Sequence, residues 1–208
     1  MSQYALGLSL PPVYSADNFF VSDCNRTAWQ WVESWPNWQS LLLTGPEGSG
    51  KSHLGHIWAM RVGAFIASAS ELPDMPGNGH WLIEDIEQIP QERTLFHWFN
   101  AIREHGGSLL VTSMFTPKLL PFTLPDLTSR LRAIPSAHID QPDDTMLGQS
   151  IRKQFADRQL KVEEDVISYM IPRMERSLTH AAQLVASIDA LALAEGKTIT
   201  IPFVKRLL

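Results

Sequence analysis

The chain has 208 residues, a formal net charge of −5, and 44% hydrophobic against 19% charged residues. That suits one large domain, or a core with a small companion, and gives enough apolar content to bury a core. The acidic balance excludes a protein whose main work is gripping a nucleic-acid backbone, which needs a basic face. The lone cysteine, Cys24, excludes an internal disulfide and fits a reducing compartment; no Cys/His zinc spacing is present. No stretch reaches the roughly 18 consecutive apolar residues of a membrane span, and the start MSQYALGLSLPP lacks the regions of a secretion signal. These features predict a cytoplasmic protein without membrane contact.

Residues 1–17, rich in Pro, Ser and Tyr, read as an arm. Residues 25–35 predict a short helix, with Ala28, Trp31, Val32 and Trp35 on one face and Pro36 ending it. Apolar runs at 40–44, 64–67, 81–83, 109–112 and 133–139 predict strands buried on both faces. Helical patterns at 51–62 and 93–104 separate them, and 73–79 is a Pro/Gly loop. This alternation predicts βαβ units and a parallel sheet. Beyond residue 142 only helices are predicted: 143–158, 163–174, 177–194 and a last one from 202. Asp143 and Ser177 are candidate N-caps, and Thr200 precedes a proline-led helix start. The expected division is an arm (1–17), an α/β domain (18–142) and a helical lid (143–208).

The segment GPEGSGKS comprises Gly45, Pro46, Glu47, Gly48, Ser49, Gly50, Lys51 and Ser52, and completes the pattern G-x-x-x-x-G-K-[ST] between a predicted strand and helix. The glycines let the backbone turn its N–H groups inward, and the helix N-terminus adds its dipole, so the loop is suited to phosphate. Lys51 is expected to reach the β- and γ-phosphates, and Ser52 to offer its hydroxyl to Mg²⁺. The run WLIEDI (81–86) ends a strand in Glu84 and Asp85. Such a strand lies beside the cradle, where one carboxylate serves the metal's water shell and the other polarises an attacking water.

With these motifs, DNFFVSDCNRTA (17–28), LPDLTSRLRA (124–133) and MERSLTHAAQLV (174–185) make nearly the whole chain resemble the DnaA-related AAA+ family: the replication initiator DnaA and its shortened relative Hda. The resemblance implies a five-stranded parallel sheet sandwiched by helices, followed by a small helical lid. It implies ADP or ATP with Mg²⁺, and places Phe20, Val21 and His53 with the cradle residues around the nucleotide. Arg130 matches the arginine finger, which completes a neighbour's nucleotide site; Arg176 matches the lid arginine that senses the γ-phosphate. It further implies the initiator DnaA and the polymerase sliding clamp as partners, with DNA engaged only indirectly and self-association left open. The clamp motif would be Gln3-Tyr4-Ala5-Leu6-Gly7-Leu8, with Gln3 hydrogen-bonding and Leu6 and Leu8 filling a pocket; the bland alternative is an unstructured start. The shortened relative lacks the initiator's DNA-binding domain, and this chain is expected to lack it as well.

Two departures bear on chemistry. The family's strand-end polar residue is replaced by Met114, with Thr112 and Ser113 nearby, and the carboxylates stand in the order Glu84–Asp85. The resemblance therefore predicts slow turnover at the chain's own cradle and stimulation of hydrolysis on the initiator, switching it off. The alternatives are an autonomous AAA+ ATPase such as a helicase loader, and an adaptor that holds nucleotide only for stability. His53 and His56 read as helix packing, with metal binding lacking a third ligand. Trp29, Trp31, Trp35 and Trp38 read as core, with base stacking as the alternative. Arg152, Lys153, Arg158 and Lys161 read as a solvated lid face, with a contact to the partner protein or to nearby DNA as the alternative.

Overall fold

The computed structural model describes residues 14–72 and 75–208, which fall into two compact units, Tyr14–Gln141 and Pro142–Leu208. The first unit is built on five strands: β1 (Ser40–Thr44), β2 (Phe65–Ser68), β3 (Trp81–Glu84), β4 (Leu109–Ser113) and β5 (Ser136–His138). They form one parallel sheet in the order β2-β3-β4-β1-β5. Helices α1 (Arg26–Glu33), α2 (Lys51–Val62), α3 (Glu92–Glu104) and α4 (Pro125–Ala133) cover its two faces.

Alternation along the strands assigns each residue to a face. Leu41 and Leu43 of β1, with Leu82 and Leu110, pack with Val32 of α1 and Leu54 and Trp58 of α2. Leu42, Ile83, Leu109 and Val111 point the other way, to Trp98 and Phe99 of α3 and Leu127 and Leu131 of α4. The central strands are therefore apolar on both faces through their middles, as a sheet covered on both sides requires, with polar residues toward their ends. At Gly55 of α2, an added Cβ would stand 3.0 Å from a methyl of Leu82, so the missing side chain sets how closely α2 approaches β3.

Two expectations are corrected here. The two edge strands are not buried on both faces: in β2 Phe65 is 55% and Ile66 44% exposed, and in β5 Ser136 and His138 are exposed. Only the centre of a parallel sheet is covered twice, and an apolar run does not reveal its position in the sheet order. The run 133–139 is strand only at its end, because Ala133 closes α4. That helix was not predicted, although Pro125 opens it and Leu127 and Leu131 bury at i, i+4 spacing. Its N-terminus is held by Glu92, whose carboxylate accepts from the Thr123 N–H and hydroxyl and from the Leu124 N–H.

The tryptophans preceding β1 are structural. Trp38 is buried, Trp29, Trp31 and Trp35 pack against the α1–α2 core, and the Trp38 and Trp35 indoles donate to Trp31 O and Ser108 Oγ.

The second unit contains α5 (Asp144–Asp157), α6 (Glu164–Met170), α7 (Leu178–Glu195) and α8 (Ile201–Val204). Asp143 and Ser177 cap α5 and α7 by accepting the N–H groups of Met146 and His180; Thr200 makes no side-chain cap bond. Phe155, Leu147, Ile151, Met170, Val185 and Ile188 fill its core. Of the basic residues read as a lid face, Arg152 pairs with Glu164, Lys153 with Asp157 and Arg158 with Asp189; no pair is formed by Lys161 among the described residues. Among the described residues no helix is long and apolar enough to cross a membrane.

Candidate functional site

The loop at 45–50 leaves the C-terminal end of β1 and enters α2 at Lys51. Gly48 and Gly50 take φ of 69° and 103°, values that L side chains rarely adopt. At Gly45 an added Cβ would stand 2.3 Å from Ile139 O, so only glycine fits against the chain leaving β5. The Gly45 N–H donates to Ser113 O at the end of β4, tying the loop to the sheet.

Lys51 is only 7% exposed. Its ammonium donates to Gly45 O at 2.8 Å and Pro46 O at 2.9 Å, so it lies folded into the loop it follows. Burial pushes its proton affinity down, and Asp85, Glu87, Glu47 and Glu84 push it back up. A single desolvated ammonium thus faces four carboxylates.

The two strand-end acids differ in environment. The Glu84 carboxyl is held below its ordinary value, first by His56, whose Nε2 lies 3.4 Å from Glu84 Oε2, and then by the nearby Ser52 hydroxyl. Asp85 is raised, first by burial and then by Glu87. Asp85 also adopts a left-handed φ of 54°, a conformation costly to a non-glycine residue. Its N–H donates to Thr112 Oγ1 at 3.0 Å, so Thr112 holds the strained turn from β4. Ser113 Oγ accepts from the Phe115 N–H, and the Met114 side chain is 46% exposed.

Glu87 escaped the sequence reading. It lies on a single turn of 3-10 helix, Ile86–Gln88, and its Oε1 accepts the Met114 N–H at 2.9 Å. A carboxylate is thereby fixed to the strand end where Met114 supplies no polar group. A third acid just past WLIEDI was its only sequence signal.

The buried side-chain oxygens without a hydrogen-bond partner among the described residues are Ser49 Oγ, Glu84 Oε1 and Glu87 Oε2. All three belong to the cradle or to the acids flanking it. Buried polar atoms are rarely left unpaired, so these acceptors suit a ligand with its own donors and waters. Among the described residues no cluster of three or more His, Cys, Asp or Glu forms an all-protein metal cage.

Around the base-binding candidates, buried Asn25 organises the backbone. Its Nδ2 donates to Phe20 O and its Oδ1 accepts from the Ser22 N–H, leaving Val21 38% exposed. Cys24 O accepts from the Asp140 N–H, joining this segment to the chain after β5. His53 is engaged from the other side, its Nε2 lying 3.0 Å from Ser15 O and its ring against Tyr14 and Phe19.

Arg130 stands elsewhere. On α4 it lies over the Phe96 ring, 5.5 Å from the centroid, and lines a cleft of about 630 Å³ with Trp38, Ser40, Arg103 and Pro135. Ser40 and Pro135 lie at the N-terminal ends of β1 and β5, whereas the cradle follows β1's C-terminal end. The five residues of β1 therefore separate them, roughly 16 Å at strand spacing. Burial and Arg103 lower the Arg130 proton affinity, and Asp126 opposes them.

In the second unit Arg176 donates to Pro142 O at 3.0 Å and to Asp144 Oδ1 at 2.5 Å. Gln3, Leu6 and Leu8 lie outside the described residues.

A parallel sheet in this order, with a glycine-rich cradle after its β1 strand and a helical unit following it in the sequence, is a P-loop α/β fold of the kind AAA+ proteins have. Domain III of the Thermotoga maritima replication initiation protein DnaA is similar to this chain, with a TM-score of 0.81 and 19% identity over 96% of this chain and 97% of that one. AMPPCP-bound DnaA from Aquifex aeolicus is similar at 0.71 and 21%, covering 90% and 68%. A Thermotoga maritima RuvB variant is similar at 0.75 and 18%, covering 93% and 70%. Residues 144–208 match the family model described as Hda, lid domain. The lid segment is thus similar to that of Hda, and the likeness to DnaA domain III, at 19% identity, is one of fold.

Proposed function

We propose that the chain is a replication-initiation AAA+ protein that binds an adenine nucleotide in its own cradle and stimulates hydrolysis of ATP held by the initiator DnaA. The observation that carries this reading is the opposition of two sites across one sheet. A cradle with unpaired buried acceptors lies at one end, and Arg130 lies in an open cleft a strand's length away at the other. An arginine so placed is out of reach of its own cradle and suited to a neighbour's phosphates, where a planar, permanently charged fork spreads donors over developing charge. Gly45 to Gly50 would hold the phosphates by backbone N–H groups, Lys51 would supply the charge, and Phe20 and Val21 would lie near the base. Ser52 and Glu84 would hold the hydrated Mg²⁺. Arg176 would exchange Asp144 for the γ-phosphate. Docking on the sliding clamp through Gln3, Leu6 and Leu8 would bring the protein to the initiator after replication begins.

The deciding experiment follows labelled ATP pre-bound to DnaA after adding this protein with ADP and DNA-loaded clamp. Acceleration that falls about 10³-fold or more in Arg130→Ala is expected. Equal acceleration by the variant would remove the finger role.

A second reading, an ATPase acting alone as a loader, is favoured by Thr112 and Glu87. They bring a hydroxyl and a carboxylate to the end of β4, where Met114 brings none. Steady turnover by the isolated protein, lost in Glu87→Ala, would select it.

A further inference from the structure

His56 lies one turn beyond Ser52 on α2, on the same helix face as the candidate metal residue. Its Nε2 is 3.4 Å from Glu84 Oε2, and the two side chains keep only 19% and 23% of their surface. Tyr14 covers the imidazole, with centroids 4.2 Å apart at 44°. Tyr14 also meets His53 at 5.5 Å, and Ser15 O lies 3.0 Å from His53 Nε2. Residues 14 and 15 are thus fastened across two imidazoles on the helix that starts at Lys51.

The consequence for Glu84 is geometric. The terminal torsion of a glutamate is broad and roughly two-fold, so an untethered carboxylate samples many planes. Here Oε2 is engaged by His56, while Oε1 is buried and makes no well-formed hydrogen bond, the Ser52 hydroxyl being near enough to favour the carboxylate but not aligned on that oxygen. One oxygen is tied and the other is left as the acceptor beside the cradle.

We propose that His56 is a positioning residue that fixes the Glu84 carboxylate plane so that Oε1 accepts a hydrogen from a water of the nucleotide's Mg²⁺, with Tyr14 locking the imidazole in place. This rests on the nucleotide reading above. His56 touches neither nucleotide nor metal; it acts through Glu84, as outer-shell partners do when they orient ligands.

The test is calorimetric titration of ADP into the full chain, in EDTA and across a Mg²⁺ series, giving nucleotide affinity and apparent Mg²⁺ affinity separately. His56→Phe keeps an aromatic ring under Tyr14 but removes the donor; His56→Gln keeps a donor. The phenylalanine variant is expected to bind ADP in EDTA as the wild type does and to lose about tenfold in Mg²⁺ affinity. The glutamine variant is expected to regain most of that loss. Should the phenylalanine variant fail to fold, His56→Met removes the donor with less steric demand and carries the same expectation. Unchanged Mg²⁺ affinity in the donorless variant overturns the inference, as does a glutamine variant as impaired as the donorless one, which marks a packing role. A wild-type protein that binds no ADP overturns the cradle reading itself, a result distinguishable from either.

Discussion

In the α/β unit the polar groups that matter are inside: Ser49 is 3% and Lys51 7% exposed, and Thr112 is fully buried. In the lid the charges are outside, in pairs such as Arg176–Asp144, with 44% and 68% of the side chains exposed, and Arg206–Glu195, with 49% and 24%. Surface pairs of this kind are screened by water and salt and contribute little, so they do not hold the lid together. Its apolar core does, and its surface charges remain free to exchange partners. The cradle is the converse: its buried acceptors are unpaired and its ammonium is desolvated, so a phosphate and its hydrated metal have contacts to complete. One unit withdraws the polar groups of its cradle from water, and the other leaves its charged pairs at the surface.

Breaking the lid's core should therefore have the largest effect, and a local one. Phe155 is 2% exposed at the centre of the lid cluster. Phe155→Ala should cost about 3–5 kcal/mol. Amide hydrogen exchange should accelerate by orders of magnitude in α5, α6 and α7, while amides of β1, β4 and α2 keep their protection. Equal loss in both units would show that they unfold as one, and the contrast between them would lose its energetic meaning.

Removing the buried charge should give the opposite pattern, loss of ligand with little loss of fold. Lys51→Met preserves length and apolar stem but withdraws the ammonium from Gly45 O and Pro46 O. Charge-assisted hydrogen bonds contribute about 1.5–3 kcal/mol, so ADP affinity should fall about 100-fold. Thermal unfolding should shift little, because the loop is also anchored by the Gly45 N–H and the packing of Gly45 on Ile139. A variant that melts far earlier would make Lys51 a structural strut first.

These contrasts were unequally legible in the sequence. The eight-residue cradle and its helix are contiguous, and their spacing alone placed α2 at 51–62, the bounds observed. The short continuous apolar runs marked the five strands but not which of them are edges, since β2's exposure depends on sheet order rather than on Phe65 and Ile66 themselves. Helix α4 had its signals in Pro125, Leu127 and Leu131 and was overlooked because it is short and follows an irregular stretch. Glu87 and Thr112 were harder. Their roles arise from contacts between β4 and the end of β3, across 27 residues of chain in each case. No local pattern encodes such pairings. The same holds for Tyr14, which reads as part of an arm and packs on α2.

The smallest effect concerns the lid's surface. The Glu195 carboxyl is pushed down to about 2, by Arg206 first and Lys197 second. Its ordinary value is 4.5. A folded-state value below the unfolded one means that the contribution is fully present above about 4.5 and is lost as pH falls toward about 2. Glu195→Gln should therefore flatten the acid dependence of lid stability within that window, followed by circular dichroism or by exchange of α7 amides. The change at neutral pH should be smaller than either effect above, and high salt should shrink it further, because the pair lies at the surface where ions screen it. Identical acid curves for the variant and the wild type would show that this link from the end of α7 to Arg206 contributes nothing. The packing around Phe155 would then account for the lid's cohesion alone, and the contrast with the cradle would be sharper.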